Sequence, residues 1–300
     1  MDAATGHRPV MVREVLELLE IRPDGIYIDA TLGGGGHAGA ILERLDRGRL
    51  LAIDQDPQAL TWARERLRGW EEKLIVMEGN FAQIDAWHAA SGLAAADGVV
   101  ADLGMSSLQL ADPARGFSFS QPGQLDMRMS PKIEITAGEI VNQRSERELA
   151  DLILKLGEER HSRLIARAIV KARPIRTATE LAQVVTRAFP SRAGLHQIHP
   201  ATRTFMALRL AVNRELESLE AFLAKVLGVL RPGGRVVVLS FHSLEDRLVK
   251  HTFRRWQLEG QARLVTRRAV RPAEAEVEIN PRSRSAKLRA AEKSTGQGLG

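Results

Sequence analysis

Four consecutive glycines, Gly33–Gly36, stand between an apolar run and a segment with a helical pattern, in the stretch IDATLGGGGHAGAIL. Glycine inside a helix costs about 1 kcal/mol relative to alanine, because its backbone has more freedom to lose. A glycine loop ahead of a helix lets a ligand approach the backbone closely and presents free N–H groups at the helix N-terminus. We therefore predict a ligand-binding loop here. A plain tight turn between strand and helix is the simpler alternative.

Short apolar runs alternate with helical patterns around this loop. Alternation at this spacing predicts a parallel α/β sheet. The runs are apolar throughout, as expected of parallel strands that are covered on both faces. The predicted strands are Ile26–Thr31, Arg49–Asp54, Lys73–Glu78, Gly98–Leu103 and Arg235–Phe241, with further candidates at Leu264–Val270 and Ser285–Ala291.

The middle of the chain lacks this alternation. From about Ile133 to Leu230 the apolar spacing is helical, and the last helix is predicted to run unbroken from Ala201 to Leu230. We therefore predict an α/β domain made of residues 1–134 and 211–300, interrupted by a helical insertion at 135–210.

Three carboxylates are predicted at the strand ends. Asp54 ends the second strand, where an acidic side chain can accept both hydroxyls of a ribose. Asp29 would repel a pyrophosphate and suits a cofactor with a positive centre, such as the sulfonium of S-adenosylmethionine, although it could simply anchor the loop. Asp102 ends the fourth strand, where the reacting group should lie in an open α/β sheet.

Two other enzyme classes compete with this interpretation. A nicotinamide-dependent dehydrogenase would use G-x-G-x-x-G, which fits at Gly34, Gly36 and Gly39 but not in the frame that starts at Gly33. The segment SFHSLEDR has hydrolase-like residue types but lacks the G-x-S-x-G turn of a nucleophilic serine. We therefore predict a structural role for its His242. No His, Asp or Glu cluster has the spacing of metal ligands, so no metal is predicted.

Basic residues are concentrated in two segments. The net charge is +6, and residues 251–300 hold 11 Lys and Arg against 5 Asp and Glu. The segment from Arg160 to Arg176 has six basic residues and no acidic one. Such segments attract phosphate backbones, although a solvated helix face looks the same in a sequence. One basic helix face is predicted from Arg160, Arg163, Arg167 and Lys171, and its packing side from Leu164, Ile165, Ala168 and Ile169.

The composition of the chain bears on where in the cell the protein is expected. The chain has no cysteine, no apolar run of membrane-span length and no apolar segment near its N-terminus that would indicate a signal peptide. These features favour a cytoplasmic protein with no membrane partner. Nothing in the sequence favours a particular oligomeric state.

Eight blocks resemble, in order, one family, the bacterial 16S ribosomal RNA cytosine-N4 methyltransferases. They extend from about His7 to Glu292, and SSLQL has Leu108 where the family usually has proline. The blocks are HRPVMVREVLELLEIRPDGIYIDATLGGGGHAGAIL, LLAIDQDPQAL, DLGMSSLQL, RGFSFSQPGQLDMRM, GEERHSRLIARAIV, HPATRTFMALRLAVNREL, LRPGGRVVVLSFHSLEDRLVK and NPRSRSAKLRAAE.

The resemblance implies a class I, Rossmann-like methyltransferase fold with an inserted helical, RNA-recognising domain. It implies S-adenosylmethionine as cofactor and N4-methylation of a cytidine in the decoding centre. The partner would be 16S rRNA in a partly or fully assembled small ribosomal subunit. Carried over by motif, the cofactor-binding residues would be Gly35, Gly36, His37, Asp54, Phe81, Asp102 and Gln109.

Asp102 is the predicted catalytic residue. Cytosine N4 is a poor nucleophile because its lone pair is delocalised into the ring, so the site must accept hydrogen bonds from the N4 protons. Asp102, or a backbone carbonyl of the DLGMSS loop, is our candidate acceptor. DNA amino-methyltransferases have a D/N-P-P-Y/F loop at the same strand end, and DLGMSS stands in its place here, so the assignment is by position and not by motif identity. A non-catalytic RNA-binding assembly protein is the remaining alternative, and it would leave Asp54 and Asp102 without a purpose.

Overall fold

A computed structural model describes residues 9–120, 123–189 and 199–296. The chain forms two compact units. The first consists of Met1–Ser106 and Leu216–Gly300, and the second is Ser107–Glu215. Within the described ranges, no helix has the length and apolar character needed to cross a membrane.

The second unit is longer than the insertion predicted at 135–210, chiefly at its N-terminal side. Backbone and side-chain hydrogen bonds tie the added segment to the helices of the unit. Ala178 N–H donates to the carbonyl of Gly123 (3.1 Å), and Met129 N–H donates to Oδ1 of Asn213 (2.7 Å). These bonds join residues far apart in the sequence, which is why a local pattern missed them.

The first unit is built on a seven-stranded sheet with the order β3-β2-β1-β4-β5-β7-β6. Neighbours among β1–β5 are parallel, whereas β7 is antiparallel to both β5 and β6. This doubly wound sheet confirms the predicted class I, Rossmann-like fold. The strands are β1 (Ile26–Asp29), β2 (Arg49–Asp54), β3 (Leu74–Glu78), β4 (Ala96–Asp102), β5 (Leu230–Ser240), β6 (Ala262–Leu264) and β7 (Lys287–Lys293).

Helices connect the strands and build the second unit. Their bounds are α1 (Val12–Leu19), α2 (Gly36–Leu42), α3 (Pro57–Arg66), α4 (Ile84–Ser91), α5 (Ser107–Ala111), α6 (Ala137–Gln143), α7 (Glu146–Gly157), α8 (Ser162–Ala172), α9 (Ala178–Ala188), α10 (Thr202–Asn213), α11 (Glu215–Val229), α12 (Ser243–Leu258) and α13 (Glu274–Ile279).

Both faces of the sheet are buried, as the apolar strands predicted. Ile28 and Val99 belong to one core cluster, together with residues of α11 and α12. Their chain neighbours Tyr27 and Val100 belong to a second cluster, with residues of α1 and α2. Successive side chains of a strand point to opposite faces, so each strand contributes to both clusters. The carboxyl ends of the parallel strands are thereby held on a rigid support.

The helix predicted at Ala201–Leu230 is two helices. It breaks at Arg214, whose backbone is left-handed (φ 50°), between α10 and α11. The side chain of Asn213 at this break bonds across the unit, with Nδ2 donating to the carbonyl of Met127 at 2.8 Å. The apolar spacing in the sequence is unbroken here, so it gave no indication of the break at Arg214.

The strand predicted at Leu264–Val270 is also wrong in extent. The strand β6 ends at Leu264, because the N–H groups of both Val265 and Thr266 donate to the carbonyl of Ala290 (3.0 and 3.2 Å). Two residues against one carbonyl interrupt the ladder as a bulge does. The chain returns to the sheet only as a bridge between Val270 and Leu288.

The basic helix is α8. Arg160 lies before its first residue, and Leu164, predicted on the packing side, is 47% exposed. Ile165 and Ile169 are buried as predicted, and Ala166 is buried as well. Arg163, Arg167 and Lys171 are exposed as predicted, and Arg167 lies 3.5 Å from Glu146 of α7.

Candidate active site

The glycine loop leaves β1 at the carboxyl edge of the sheet and enters α2. Hydrogen bonds hold it to both flanking strands, with Ala30 N–H donating to the carbonyl of Val100 and Leu32 N–H to that of Ile53, each at 2.9 Å. Gly35 is the N-cap of α2 with φ 76°, and a Cβ there would lie 3.3 Å from Leu67. A Cβ on Gly36 would lie 2.7 Å from Pro9. Turn geometry and packing alone therefore require glycine at both positions, and their cofactor contacts stay a prediction.

Asp54, at the end of β2, links this loop to the next strand. Its Oδ2 accepts the N–H of Gly33 (2.7 Å) and its Oδ1 accepts the N–H of Asp56 (2.9 Å). The carbonyl of Asp54 accepts the N–H of Gly79 beyond β3 (2.8 Å). Each carboxylate oxygen has a second lone pair, so the side chain can still accept the hydroxyls of a ribose. Burial raises the pKa of Asp54 to about 6, although the two N–H donors lower it.

Asp29, His37 and Asp102 come together where β1, α2 and β4 meet. Nε2 of His37 lies 3.3 Å from Oδ2 of Asp102, close enough for an ion pair but not aligned as a hydrogen bond. Oδ1 of Asp29 accepts the N–H of Thr31 (3.1 Å), and Oγ1 of Thr31 accepts the N–H of Asp102 (2.7 Å). Asp29 and His37 are 1% and 5% exposed, whereas the side chain of Asp102 is 26% exposed. Asp102 is thus the member of this group that a substrate can reach.

The charges in this cluster are coupled. Burial raises the pKa of Asp29 to about 6, although the nearby His37 ring lowers it. Burial also lowers the pKa of His37, but the Asp102 carboxylate outweighs it, helped by Asp29 and Glu276, and holds that pKa above its usual value. The ring of His37 therefore holds its proton to a higher pH than a free imidazole does.

Several buried polar atoms here have no hydrogen-bond partner among the described residues. They are Oδ2 of Asp29, Oδ1 of Asp102 and both ring nitrogens of His37. A buried polar group left unpaired costs about 1–3 kcal/mol, so these atoms mark a place for a polar ligand. S-adenosylmethionine fits this donor set, because its ammonium and sulfonium are cationic and its ribose hydroxyls match Asp54. Within the described ranges, no group of three or more His, Cys, Asp or Glu could hold a metal ion.

Phe81 follows β3 in the sequence GNF. It begins a short 3-10 helix, Phe81–Gln83, which Asn80 caps by accepting the N–H of Ala82 (2.9 Å). The ring is partly buried and meets Phe222 of α11 edge to face, with centroids 5.4 Å apart. The ring is therefore held in place after β3, and its contact with adenine stays a prediction.

Gln109 lies in α5 of the second unit and is 6% exposed. Its proposed contact with the cofactor stays a prediction. His242 is structural, as predicted: it caps α12, its Nδ1 accepting the N–H of Glu245 (3.4 Å), while Glu245 Oε2 accepts the N–H of Phe241 (2.9 Å).

Sequence reasoning missed Thr31 and Glu276. Thr31 directly follows β1, and a hydroxyl at the end of a strand was a signal that could have been used. Glu276 acts on the charge of His37, and its Oε1 accepts the N–H of Met11 (2.7 Å). No local pattern could have found a partner 265 residues away.

Comparisons with known proteins place these features in a family. Residues 4–294 match the model of the MraW methylase family. Three curated proteins that match are each called ribosomal RNA small subunit methyltransferase H. The one from Syntrophobacter fumaroxidans is 49% identical and covers 97% of each chain. The one from Geobacter sulfurreducens is 49% identical over 96% of this chain and 99% of its own, and the one from Koribacter versatilis is 50% identical over 95% and 93%.

Solved structures resemble the chain more distantly. An rRNA methylase from Streptococcus thermophilus is 12% identical and covers 96% of this chain and 98% of its own, with a TM-score of 0.44.

Proposed function

Because this chain belongs to the MraW methylase family, we propose that it methylates N4 of a cytidine in the decoding centre of small-subunit ribosomal RNA. The chain is an S-adenosylmethionine-dependent methyltransferase of small-subunit rRNA, as its relatives are named. The near-full-length match at 49% identity carries this conclusion. The cytosine-N4 target is supported by the residues at the end of β4, and a ribosomal substrate supports a cytoplasmic location.

The chemistry needs an acceptor for a proton. S-adenosylmethionine supplies an electrophilic methyl group on a sulfonium when bound. Transfer to N4 would break the methyl–sulfur bond, with its electron pair left on a neutral thioether, and the amine would have to lose a proton for the methylated base to be neutral. The end of β4 offers Asp102, whose Oδ1 is buried without a partner while its backbone N–H is fixed by Thr31. The carboxylate of Asp102, whose side chain is 26% exposed, is therefore our candidate acceptor for the N4 hydrogen bond and then for the proton.

His37 supports Asp102 from the other side. Its Nε2 lies 3.3 Å from Oδ2 of Asp102 and fixes the orientation of that carboxylate. An ionised carboxylate accepts a hydrogen bond more strongly than a neutral group does. This interaction draws the N4 lone pair out of conjugation before transfer. A positioned acid–base group of this kind contributes typically about 10²- to 10⁴-fold to rate.

The substrate side is supported by charge. The second unit, 107–215, contains 17 Lys and Arg against 11 Asp and Glu, and the first unit is neutral in sum. A cationic unit gives RNA affinity that does not depend on sequence and falls with salt. The target base must leave its stack to reach a methyl donor, so we propose an RNA site made of unpaired nucleotides.

The test is methyl transfer from labelled S-adenosylmethionine to small ribosomal subunits that lack the modification, followed by nucleoside analysis. We expect label in N4-methylcytidine at the decoding centre. Asp102→Ala should lower single-turnover transfer by at least about 10²-fold. Asp24→Ala is the matched control, because this exposed carboxylate pairs only with Arg47 in the contacts described. Label in another nucleoside would contradict the proposed target, and equal rates for both variants would contradict the role of Asp102.

A further inference from the structure

Three aromatic rings are in contact in a row that leads from the core of the second unit to its surface. Phe205 of α10 is 5% exposed, Phe119 is partly buried, and His199 is exposed. Phe119 meets Phe205 edge to face with centroids 5.1 Å apart. His199 stacks on Phe119 with centroids 4.5 Å apart and an interplanar angle of 24°. We call these residues the aromatic stack.

The outer ring is held in place by the start of α10. Nδ1 of His199 accepts the N–H of Ala201 (3.2 Å), and its carbonyl accepts the N–H of Thr202 (3.0 Å). Phe119 covers one face of the imidazole. The surface that His199 exposes to solvent is therefore its other face and its edge. A fixed, solvent-facing ring loses little conformational entropy when another flat group stacks on it.

Basic groups surround the same end of the second unit. The turn after α7 approaches the first turn of α10 so closely that a Cβ on Gly157 would lie 2.7 Å from the carbonyl of Arg203. Glu159 in that turn is 4% exposed, and its carboxylate lies 3.0 Å from Nδ1 of His161 and 3.5 Å from Nη1 of Arg203. One buried acid therefore gathers two basic side chains beside α10.

The first turns of α8 add unneutralised charge. Arg160 and Arg163 are exposed on either side of His161. Neither has an acidic partner among the described ion pairs. With Arg203 they form what we call the cationic rim.

We propose that the aromatic stack and the cationic rim are a binding site for unpaired RNA, with one nucleobase stacked on His199 and the adjoining phosphates on the cationic rim. This rests on the proposed function only in that the substrate is rRNA. An exposed ring four residues before the exposed Arg203 suits a nucleotide, since every base has a π-face and every linkage carries a negative charge. Duplex RNA does not expose its base faces, so the site selects single-stranded nucleotides.

The experiment is equilibrium binding of the full-length protein to a single-stranded RNA oligonucleotide that carries one 2-aminopurine. Stacking quenches the fluorescence of that base, and anisotropy gives Kd over a series of salt concentrations. Base–aromatic stacking of about 1–3 kcal/mol predicts a roughly 5- to 150-fold weaker Kd for His199→Ala. The slope of log Kd against log salt should not change in that variant, whereas Arg163→Gln should lower it by about 0.7.

Two variants sharpen the comparison. His199→Tyr keeps a stacking ring and should retain most of the affinity and the quenching. His251→Ala removes an exposed histidine of α12 in the first unit and should bind as the parent protein does. Unchanged far-UV circular dichroism and an unchanged thermal unfolding midpoint of the full-length protein show that each variant is folded.

The proposal is overturned if His199→Ala binds RNA like His251→Ala, or if 2-aminopurine is not quenched by the parent protein at saturation. Failure of the proposed function has a different signature. In that case the parent protein would not label N4 of cytidine in small subunits, while the oligonucleotide result would stand by itself.

Discussion

At the scale of single residues, the cluster of Asp29, His37 and Asp102 is built for a ligand rather than for stability. Two carboxylates and an imidazole are buried or half-buried together, and four of their polar atoms lack partners. Active sites commonly carry such unfavourable groups because their function needs them. Removing one charge should therefore stabilise the protein while weakening its ligand binding.

Asp29→Asn tests this directly. The folded pKa of Asp29, about 6, lies above the unfolded value near 4. The native state then binds more protons than the unfolded state between these values, so this group makes stability fall as pH rises from about 4 to about 6. The variant should be more stable by about 1–3 kcal/mol at pH 7.5, with a flatter pH dependence, in urea unfolding without ligand. It should also bind S-adenosylmethionine more weakly.

The pH range over which stability changes separates the contribution of Asp29 from that of His37. His37 has a raised pKa, so its contribution is present below its unfolded value and is lost only as pH rises past about 6.5. Stability at pH 4.5 and 6.0 therefore depends on Asp29 and on Asp54, whose pKa is also about 6, and the difference between the parent protein and Asp29→Asn isolates the contribution of Asp29. The exposed Asp24 provides the control variant, Asp24→Asn. An Asp29→Asn protein that is less stable at pH 7.5 would contradict the burial argument.

The carboxylates at the strand ends were predictable from the sequence, whereas the residues that contact the site from distant segments were not. Asp54 and Asp102 follow apolar runs that indicate buried strands, and both end a strand in the structure. The contact of Glu276 with Met11 and the bond from Thr31 to β4 depend on distant segments meeting. Periodicity describes one segment at a time, so it cannot give contacts that only the assembled sheet creates.

At the scale of elements, the entry into α2 shows why glycine is needed at one position of the loop. Gly35 combines a left-handed backbone with a close approach to Leu67 of the segment after α3. Its four-glycine context predicted a ligand, but local geometry already accounts for this residue. Stability and ligand affinity must therefore be measured separately.

Gly35→Ala should lower the free energy of unfolding by about 1–2 kcal/mol, the cost of a left-handed alanine, with an added cost from Leu67. Gly92→Ala is the matched control, since Gly92 is also left-handed (φ 67°) at the end of α4 and a Cβ there meets nothing within 4 Å. Calorimetry should show weaker S-adenosylmethionine binding only for Gly35→Ala. Equal affinities in the two variants would leave the loop a structural turn.

Helical patterns predicted the helices of the second unit but not which side of α8 is exposed. Leu164 has the spacing of a packing residue yet is 47% exposed, while Ala166 is buried. Ile165 and Ile169 of the predicted packing side are buried, so the prediction failed at the edge of that face, at Leu164. An amphipathic pattern therefore identifies a helix, but it does not give every residue that the helix buries.

At the scale of the whole molecule, charge is divided unequally. Residues 107–215 and 251–300 each carry a net charge of +6, so the remaining residues carry −6. Net charge alone would describe the chain as mildly basic. The division indicates instead two cationic regions joined to an acidic remainder.

RNA affinity should therefore be strongly dependent on salt. If five cations contact phosphates of single-stranded RNA, Kd should rise about a hundred-fold between 50 and 200 mM salt. Anisotropy titrations over that range measure the slope. A slope near zero would mean that these basic residues do not bind RNA backbone.

The place of the second unit in the chain has a consequence for how such enzymes diverge. It is inserted between β4 and the helix that leads to β5, two strands that pair directly in parallel. Every ladder of the sheet forms between residues outside 107–215. A recombination event that exchanged this segment would leave the pairing of all seven strands intact. If the second unit binds the substrate as we propose, an enzyme could acquire a new target by exchange of this one segment without a change in the sheet.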